Sequence, residues 1–244
     1  GLREFCDEND MLLLIDEVQT GWCRTGNIMS YMNYGIKPDI VSMENVPQMV
    51  KEKVFDNFIQ ILKDNDYSID YKVVYAPEYG VPQKRERLIL VAMRKDVSLN
   101  FEWPKPHKKI YTLIDALKAG SLFDCDVPQS PGQIYPARKK EILEFIPPGG
   151  YWKDLPENLQ REYMQKSYFL GGGKTGIARR MSWDEPCLTL TCSPAQKQTE
   201  RCHPDETRPF TVREYARIQT FPDSWKFSGS LSSQYKQIGN AVPG

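Results

Sequence analysis

Glu44-Asn45-Val46 sets a carboxyl group directly behind the short apolar run Asp39-Ile-Val-Ser-Met43, and Gln83-x-Arg85-x-Arg87 carries two guanidinium groups into a second such run. A carboxyl group at the end of a strand can hold or transfer a proton, and a guanidinium binds oxygen that carries negative charge. Two longer signatures follow, Arg208-Pro-Phe-Thr-Val-Arg-Glu-Tyr-Ala-Arg-Ile-Gln-Thr-Phe-Pro222 and Gly239-Asn-Ala-Val-Pro243. Two other groups of reactive residues do not assemble into sites. In Gly171-Gly-Gly-Lys-Thr175 the first glycine of a phosphate-binding Gly-x-x-x-x-Gly-Lys-Thr loop would fall at Tyr168, and no apolar strand precedes it, so the stretch reads as a flexible loop. Cys187, Cys192, Cys202 and His203 match no paired-ligand spacing, which leaves unligated thiols and no metal.

These groups need elements to hold them. Met11-Leu-Leu-Leu-Ile15 reads as a buried parallel strand that ends at Asp16-Glu17, and Asp39–Met43 reads as a second strand that ends at Glu44. Val50, Val54, Phe58 and Leu62 recur at helical spacing behind Pro47 and predict an amphipathic helix to about Asp66. Tyr71–Ala76 and Arg87–Met93 follow as strands. Residues 97–183 are rich in proline and glycine, with short helical patterns at Tyr111–Ala119 and Ala137–Phe145, and predict a small irregular domain. Leu188–Thr191 reads as a strand, and Thr211-Val-Arg-Glu214 is a capping box that opens a helix to about Thr220.

Composition narrows the classes. In 244 residues, 40% are hydrophobic and 26% charged, which excludes a chain disordered throughout. The apolar runs fall far short of the roughly 20 residues that cross a bilayer, and the opening residues lack the apolar region of a secretory signal. Six cysteines without a Cys-x-x-Cys pair fit reduced thiols, so a cytoplasmic location is expected and no membrane contact. The formal charge is zero, but residues 1–43 carry 3 Lys+Arg against 7 Asp+Glu, net −4, and residues 101–182 carry 13 against 9, net +4. The basic stretch could face phosphates or be an ordinary solvated surface. Without an initial methionine, the chain reads as a piece of something longer.

In their order, the four signatures resemble the second half of the C5-cytosine DNA methyltransferase family over roughly residues 38–244. The resemblance implies an α/β fold, a partial Rossmann-like methyltransferase sheet with a small irregular target-recognition domain. Residues 38–96 and 208–244 would belong to the catalytic domain, and 97–207 to recognition. Cytosine C5 becomes nucleophilic only after addition at C6, and the charge that develops on the ring is met at N3 and O2. By resemblance, Glu44 holds or protonates N3 of a flipped cytosine, Arg87 with Arg85 binds O2 and the surrounding loop, and Gln83, Thr189 and Leu190 lie on the DNA side. Asn240 and Val242 would touch the methionine part of the cofactor, S-adenosylmethionine. Arg213, Glu214 and Arg217 would be scaffold. The implied activity is DNA cytosine-5 methylation in restriction-modification, with double-stranded DNA as partner.

The family's glycine-rich cofactor loop and Pro-Cys nucleophile loop do not stand before Glu44. Pro186-Cys187 lies in the wrong order to be that nucleophile, and Cys23 lacks the proline. Residues 1–43, with Asp16 where the family pairs an aspartate to its pyridinium nitrogen, instead resemble class III pyridoxal-phosphate aminotransferases. The Schiff-base lysine expected after Pro38-Asp-Ile-Val41 is replaced by Glu44-Asn45-Val46. Three readings stay open: the base-stabilising and recognition part of a methyltransferase completed by a complementary half that supplies the cysteine, a non-catalytic DNA-binding module or inactive mosaic, and an aminotransferase fragment.

Overall fold

The computed structural model describes every residue except 16, 18–23, 28, 98–100, 173 and 244. Asp16 and Cys23 therefore lie outside the described residues. In chain order the elements are α1 (Leu2–Glu8), β1 (Ile40–Asn45), α2 (Lys53–Asp64), β2 (Tyr67–Tyr75), β3 (Gln83–Lys84), β4 (Glu86–Arg94), α3 (Leu113–Leu117), α4 (Ala137–Leu143), α5 (Glu157–Met164), β5 (Cys187–Leu188), α6 (Val212–Ile218) and α7 (Leu231–Asn240). They form two compact units, residues 1–74 with 86–104, and residues 75–85 with 105–244. Among the described residues no helix is long and apolar enough to cross a membrane.

In the first unit the sheet runs in the order β1-β4-β2, with β1 antiparallel to β4. Leu88, Leu90 and Ala92 alternate along β4 and are fully buried, against Val41 and Met43 of β1 and Phe55, Phe58 and Leu62 of α2. Each large apolar side chain buried in this way contributes about 2 kcal/mol. The helix expected from Pro47 begins as a 3-10 turn, Pro47–Lys51, before α2 proper, because Glu52 is extended between them.

Residues 11–15 form no strand, contrary to the sequence expectation. The run is only partly covered: Leu13 and Ile15 are half-buried, while Leu14 is 68% exposed and Met11 53%. One polar residue ties this segment down. The buried Asp39 carboxylate accepts from the Leu13 backbone N–H at 2.7 Å and from Arg3 Nη1 at 2.8 Å, and it pairs with Arg94 Nη1 at 3.2 Å. Burial acts to raise the Asp39 pKa, but these three partners outweigh it and hold the carboxyl below its ordinary 3.8.

The second unit has two cores. Leu113 and Leu117 of α3, Leu190, Tyr215 of α6, and Tyr235 and Ile238 of α7 build the first. Leu143, Trp152, Tyr163, Met164 and Ile177 sit in the second. β3 and β5 pair in parallel, Gln83 with Cys187 and Lys84 with Leu188. The strand expected over Leu188–Thr191 stops at Leu188, since side chains occupy the backbone groups beyond it. The Thr189 carbonyl accepts from Arg201, the Leu190 N–H donates to Gln83, and the Thr191 N–H donates to the Tyr215 hydroxyl.

Asp39 yields the first prediction. A carboxyl with a depressed native pKa stabilises the fold fully above its unfolded value, and that contribution is lost as pH falls through the native value. Asp39→Ala removes the acceptor shared by the Leu13 N–H, Arg3 and the half-buried Arg94, which keeps its pair with Asp96, and should lower stability by about 1–2 kcal/mol at pH 7, with the difference from wild type vanishing in acid. Urea unfolding at pH 7 and pH 3 measures both.

Candidate functional site

Strand alternation places the first group. With Leu88, Leu90 and Ala92 turned to the core, Arg87 must emerge on the opposite face of the sheet. On β1, Val41 and Met43 turn inward and Glu44 outward by the same alternation. The register pairs Glu44 with Ile89, so Arg87 is its diagonal neighbour across the two strands. Arg87 Nε meets Glu44 Oε1 at 2.7 Å, both side chains partly open to solvent, and Arg87 Nη1 donates to the Glu86 carbonyl at 2.7 Å. A carboxylate and a guanidinium thus stand side by side on an accessible surface.

Within the second unit, Gln83 is fully buried and both ends of its amide are used. Its Oε1 accepts from the Leu190 N–H at 3.0 Å and its Nε2 donates to Gln219 Oε1 at 2.7 Å. Thr189 Oγ1 donates to the Lys84 carbonyl at 2.6 Å, and the Lys84 ammonium pairs with Glu185 at 2.5 Å. Gln83, Thr189 and Leu190 are therefore brought together as one knot. Arg85 is buried in the same unit, its carbonyl accepting from the Ala76 N–H at 2.9 Å. Asn240, the last residue of α7, is exposed, and its Oδ1 accepts from the Cys192 thiol at 3.2 Å; the Val242 side chain is also exposed. Gly239 explains itself sterically, since a Cβ there would lie 2.4 Å from the Thr191 carbonyl oxygen.

The residues of the long signature form scaffold contacts, as the resemblance implies. Thr211 caps α6 with Glu214, whose carboxylate takes two bonds of 2.8 Å from Arg208. Arg217 is fully buried and grips Asp223 through Nε at 3.0 Å and Nη2 at 2.5 Å. Arg213 donates to the carbonyls of Pro222 and Trp225. Cys187 is buried, and burial pushes its thiol up to about 12, out of range for a thiolate at neutral pH. His203 Nδ1 accepts from the backbone of Asp205 and Glu206, and among the described residues no group of three or more metal-ligating side chains exists.

Sequence reasoning gave no helix at α7, although Ser230 in the capping position and Leu231, Tyr235 and Ile238 at spacings of four and three carry the signal. It also gave no role to Gln219, whose partner stands 136 residues away.

The model of the family described as C-5 cytosine-specific DNA methylase matches residues 32–244. The chain belongs to this family. The Type II methyltransferase M.Eco47II of Escherichia coli is 60% identical over 214 residues, 85% of this chain and 51% of that protein. M.Sau96I of Staphylococcus aureus is 47% identical over 85% of this chain and 48% of its own length. The chain thus spans about half the length of these methylase relatives. Among solved structures, a prophage-encoded protein of the DNA modification methyltransferase class from E. coli superposes with a TM-score of 0.52 at 24% identity, over 84% of this chain and 65% of its own, which supports the α/β fold. A second family model, class-III aminotransferase, matches residues 1–45 and overlaps the methylase match over residues 32–45.

This geometry makes two testable predictions. Gly239→Ala drives a methyl group into the Thr191–Cys192 backbone and should cost about 3 kcal/mol, read as a lowered urea midpoint. Native alkylation at pH 7.5 should modify the exposed Cys125 and Cys192 at least about tenfold faster than Cys187, with peptide mass spectrometry giving the three rates.

Proposed function

We propose that this chain is the base-stabilising and DNA-recognition part of a DNA cytosine-5 methyltransferase of restriction-modification type, acting on double-stranded DNA with S-adenosylmethionine. The observation that carries the reading is the Glu44–Arg87 pair, 2.7 Å apart on the open face of the sheet. N3 and O2 are neighbours on a cytosine ring, and an adjacent carboxyl and guanidinium can serve both. Glu44 holds or gives a proton at N3. Arg87 meets the charge that grows on O2, and pairing with Glu44 keeps its guanidinium in place beforehand. Within the second unit, Gln83 positions the Thr189–Leu190 segment, which the resemblance puts on the DNA side.

The end of α7 suits the methionine part of the cofactor: Asn240 offers an exposed amide to its polar end and Val242 an exposed apolar surface to its methylene stem. When bound, S-adenosylmethionine supplies the methyl group. The attacking thiolate comes from a complementary half, since the Pro186-Cys187 thiol is buried and protonated. The same buried thiol supports a second reading, a DNA-binding module without catalysis. For residues 1–43 we infer a segment of aminotransferase ancestry joined to the methyltransferase within the overlap, where β1 lies in both matches.

The test is transfer of labelled methyl from S-adenosylmethionine to mixed-sequence DNA by this chain alone and by this chain mixed with the front half of a related Type II methyltransferase. Transfer is expected only in the mixture. Glu44→Ala should reduce it at least ~100-fold, and Arg87→Ala should also reduce it. Silence from folded, mixed halves overturns the catalytic reading, and DNA binding without transfer supports the module.

A further inference from the structure

Gln219 sits in the long signature, yet the proposed reaction gives it no task. Its side chain is buried at the end of α6, 2% exposed, and links two segments that the reading above assigns to different ligands. One end of the link is the Leu190 backbone N–H, which can only donate. It reaches Gln83 Oε1 at 3.0 Å, and Gln83 Nε2 then donates to Gln219 Oε1 at 2.7 Å. The other end is a pair of carbonyls, which can only accept: Gln219 Nε2 donates to Ile238 O at 2.7 Å and to Ala241 O at 3.2 Å.

Because one terminus is a fixed donor and the other a fixed acceptor, neither amide can turn over without losing bonds. The two glutamines form a relay of one sense, from the Thr189–Leu190 segment to the last turn of α7. Those carbonyls lie at the end of a helix, where backbone donors run short; Ile238 O also takes the Ala241 N–H at 3.2 Å. Asn240 and Val242 lie on either side of Ala241, so the carbonyl that Gln219 holds sets their backbone. Gly239 lets the same turn approach the Thr191–Cys192 peptide, and the Cys192 thiol donates to Asn240 Oδ1 at 3.2 Å.

We propose that Gln219 is a positioning residue that fixes the cofactor end of α7 relative to the nucleotide-facing Thr189–Leu190 segment, so that order in one is transmitted to the other. This rests on the assignment of Asn240 and Val242 to S-adenosylmethionine and of Thr189 and Leu190 to DNA. Both glutamines act through backbone, and neither touches a reacting atom. A carboxylate in place of the Gln219 amide still accepts from Gln83 but repels the two helix-end carbonyls. A methionine of similar size leaves Gln83 Nε2 without its acceptor.

The experiment uses the full chain, wild type, Gln219→Glu and Gln219→Met. Hydrogen exchange at the Leu190 amide, without ligand, reads the relay directly. Gln219 does not touch that amide, so exchange about tenfold faster in Gln219→Met than in wild type, with the distant core amides of α2 unchanged, is the expected result. Unchanged exchange at Leu190 overturns the proposal. Equilibrium dialysis of labelled S-adenosylmethionine supplies the second reading. Gln219→Glu should bind about tenfold more weakly at pH 8 and recover toward wild type near pH 5.5, where a buried carboxyl takes up a proton and donates again. A loss that acid does not restore, or no loss at all, overturns the cofactor arm. If wild-type chain fails to bind S-adenosylmethionine, it is the proposed function that falls, and exchange at Leu190 still decides the relay.

Discussion

The register between β1 and β4 decides what the first unit can present. Side chains alternate with a period of two, so one choice of pairing buries Leu88, Leu90 and Ala92 against α2 and turns Glu44 and Arg87 out on the other face. A slip of one residue would carry the charged pair into the apolar layer and the leucines into water. The amphipathic face of α2, with Phe55, Phe58 and Leu62 all 1% exposed, therefore does more than stabilise the sheet. It selects the register, and the register makes the pair.

The second unit relies on buried or half-buried charged groups held by specific partners. Arg208 grips Glu214, Arg217 grips Asp223, and Glu200 receives the Tyr163 hydroxyl, the Ala178 N–H and the Lys139 ammonium. Such pairs add little net stability over apolar residues of the same shape, but losing one partner leaves a charge stranded. Their effect is to specify: α6 can sit in only one orientation if Arg208, Glu214 and Arg217 are all to be satisfied. Residues that look chemical in the sequence are here the fastening of a scaffold.

What the sequence made legible was local. The capping box at Thr211 and Glu214 needs only four residues to be read, and the structure forms it as expected. The strands β1 and β4 and the body of α2 were readable from periodicity, with ends displaced by a few residues where Glu52 or Asn45 takes a conformation set by its surroundings. Met11–Ile15 misled because an apolar run signals a buried strand only when it is covered along its length, and here Met11, Leu12 and Leu14 stay exposed. The direct meeting of Glu44 with Arg87 was not legible, since it depends on strand register, although both residues were singled out. Gln83 was placed toward DNA on resemblance, and the structure shows its amide committed to Leu190 and Gln219, contacts 107 and 136 positions away that no local pattern encodes.

The discontinuity of the second unit has a consequence for how the molecule is made. β3 emerges from the ribosome with Gln83, but its strand partner Cys187 and its amide partner Gln219 are about a hundred or more residues behind. At roughly 5–20 residues per second, that gap is on the order of ten seconds. During that interval the sheet of the first unit and its α2 layer can close on their own contacts, while residues 75–85 hang as an unfinished hairpin-like excursion from it. The segment that joins the two stretches of the first unit is thus the earliest-synthesised part of the second and among the last satisfied.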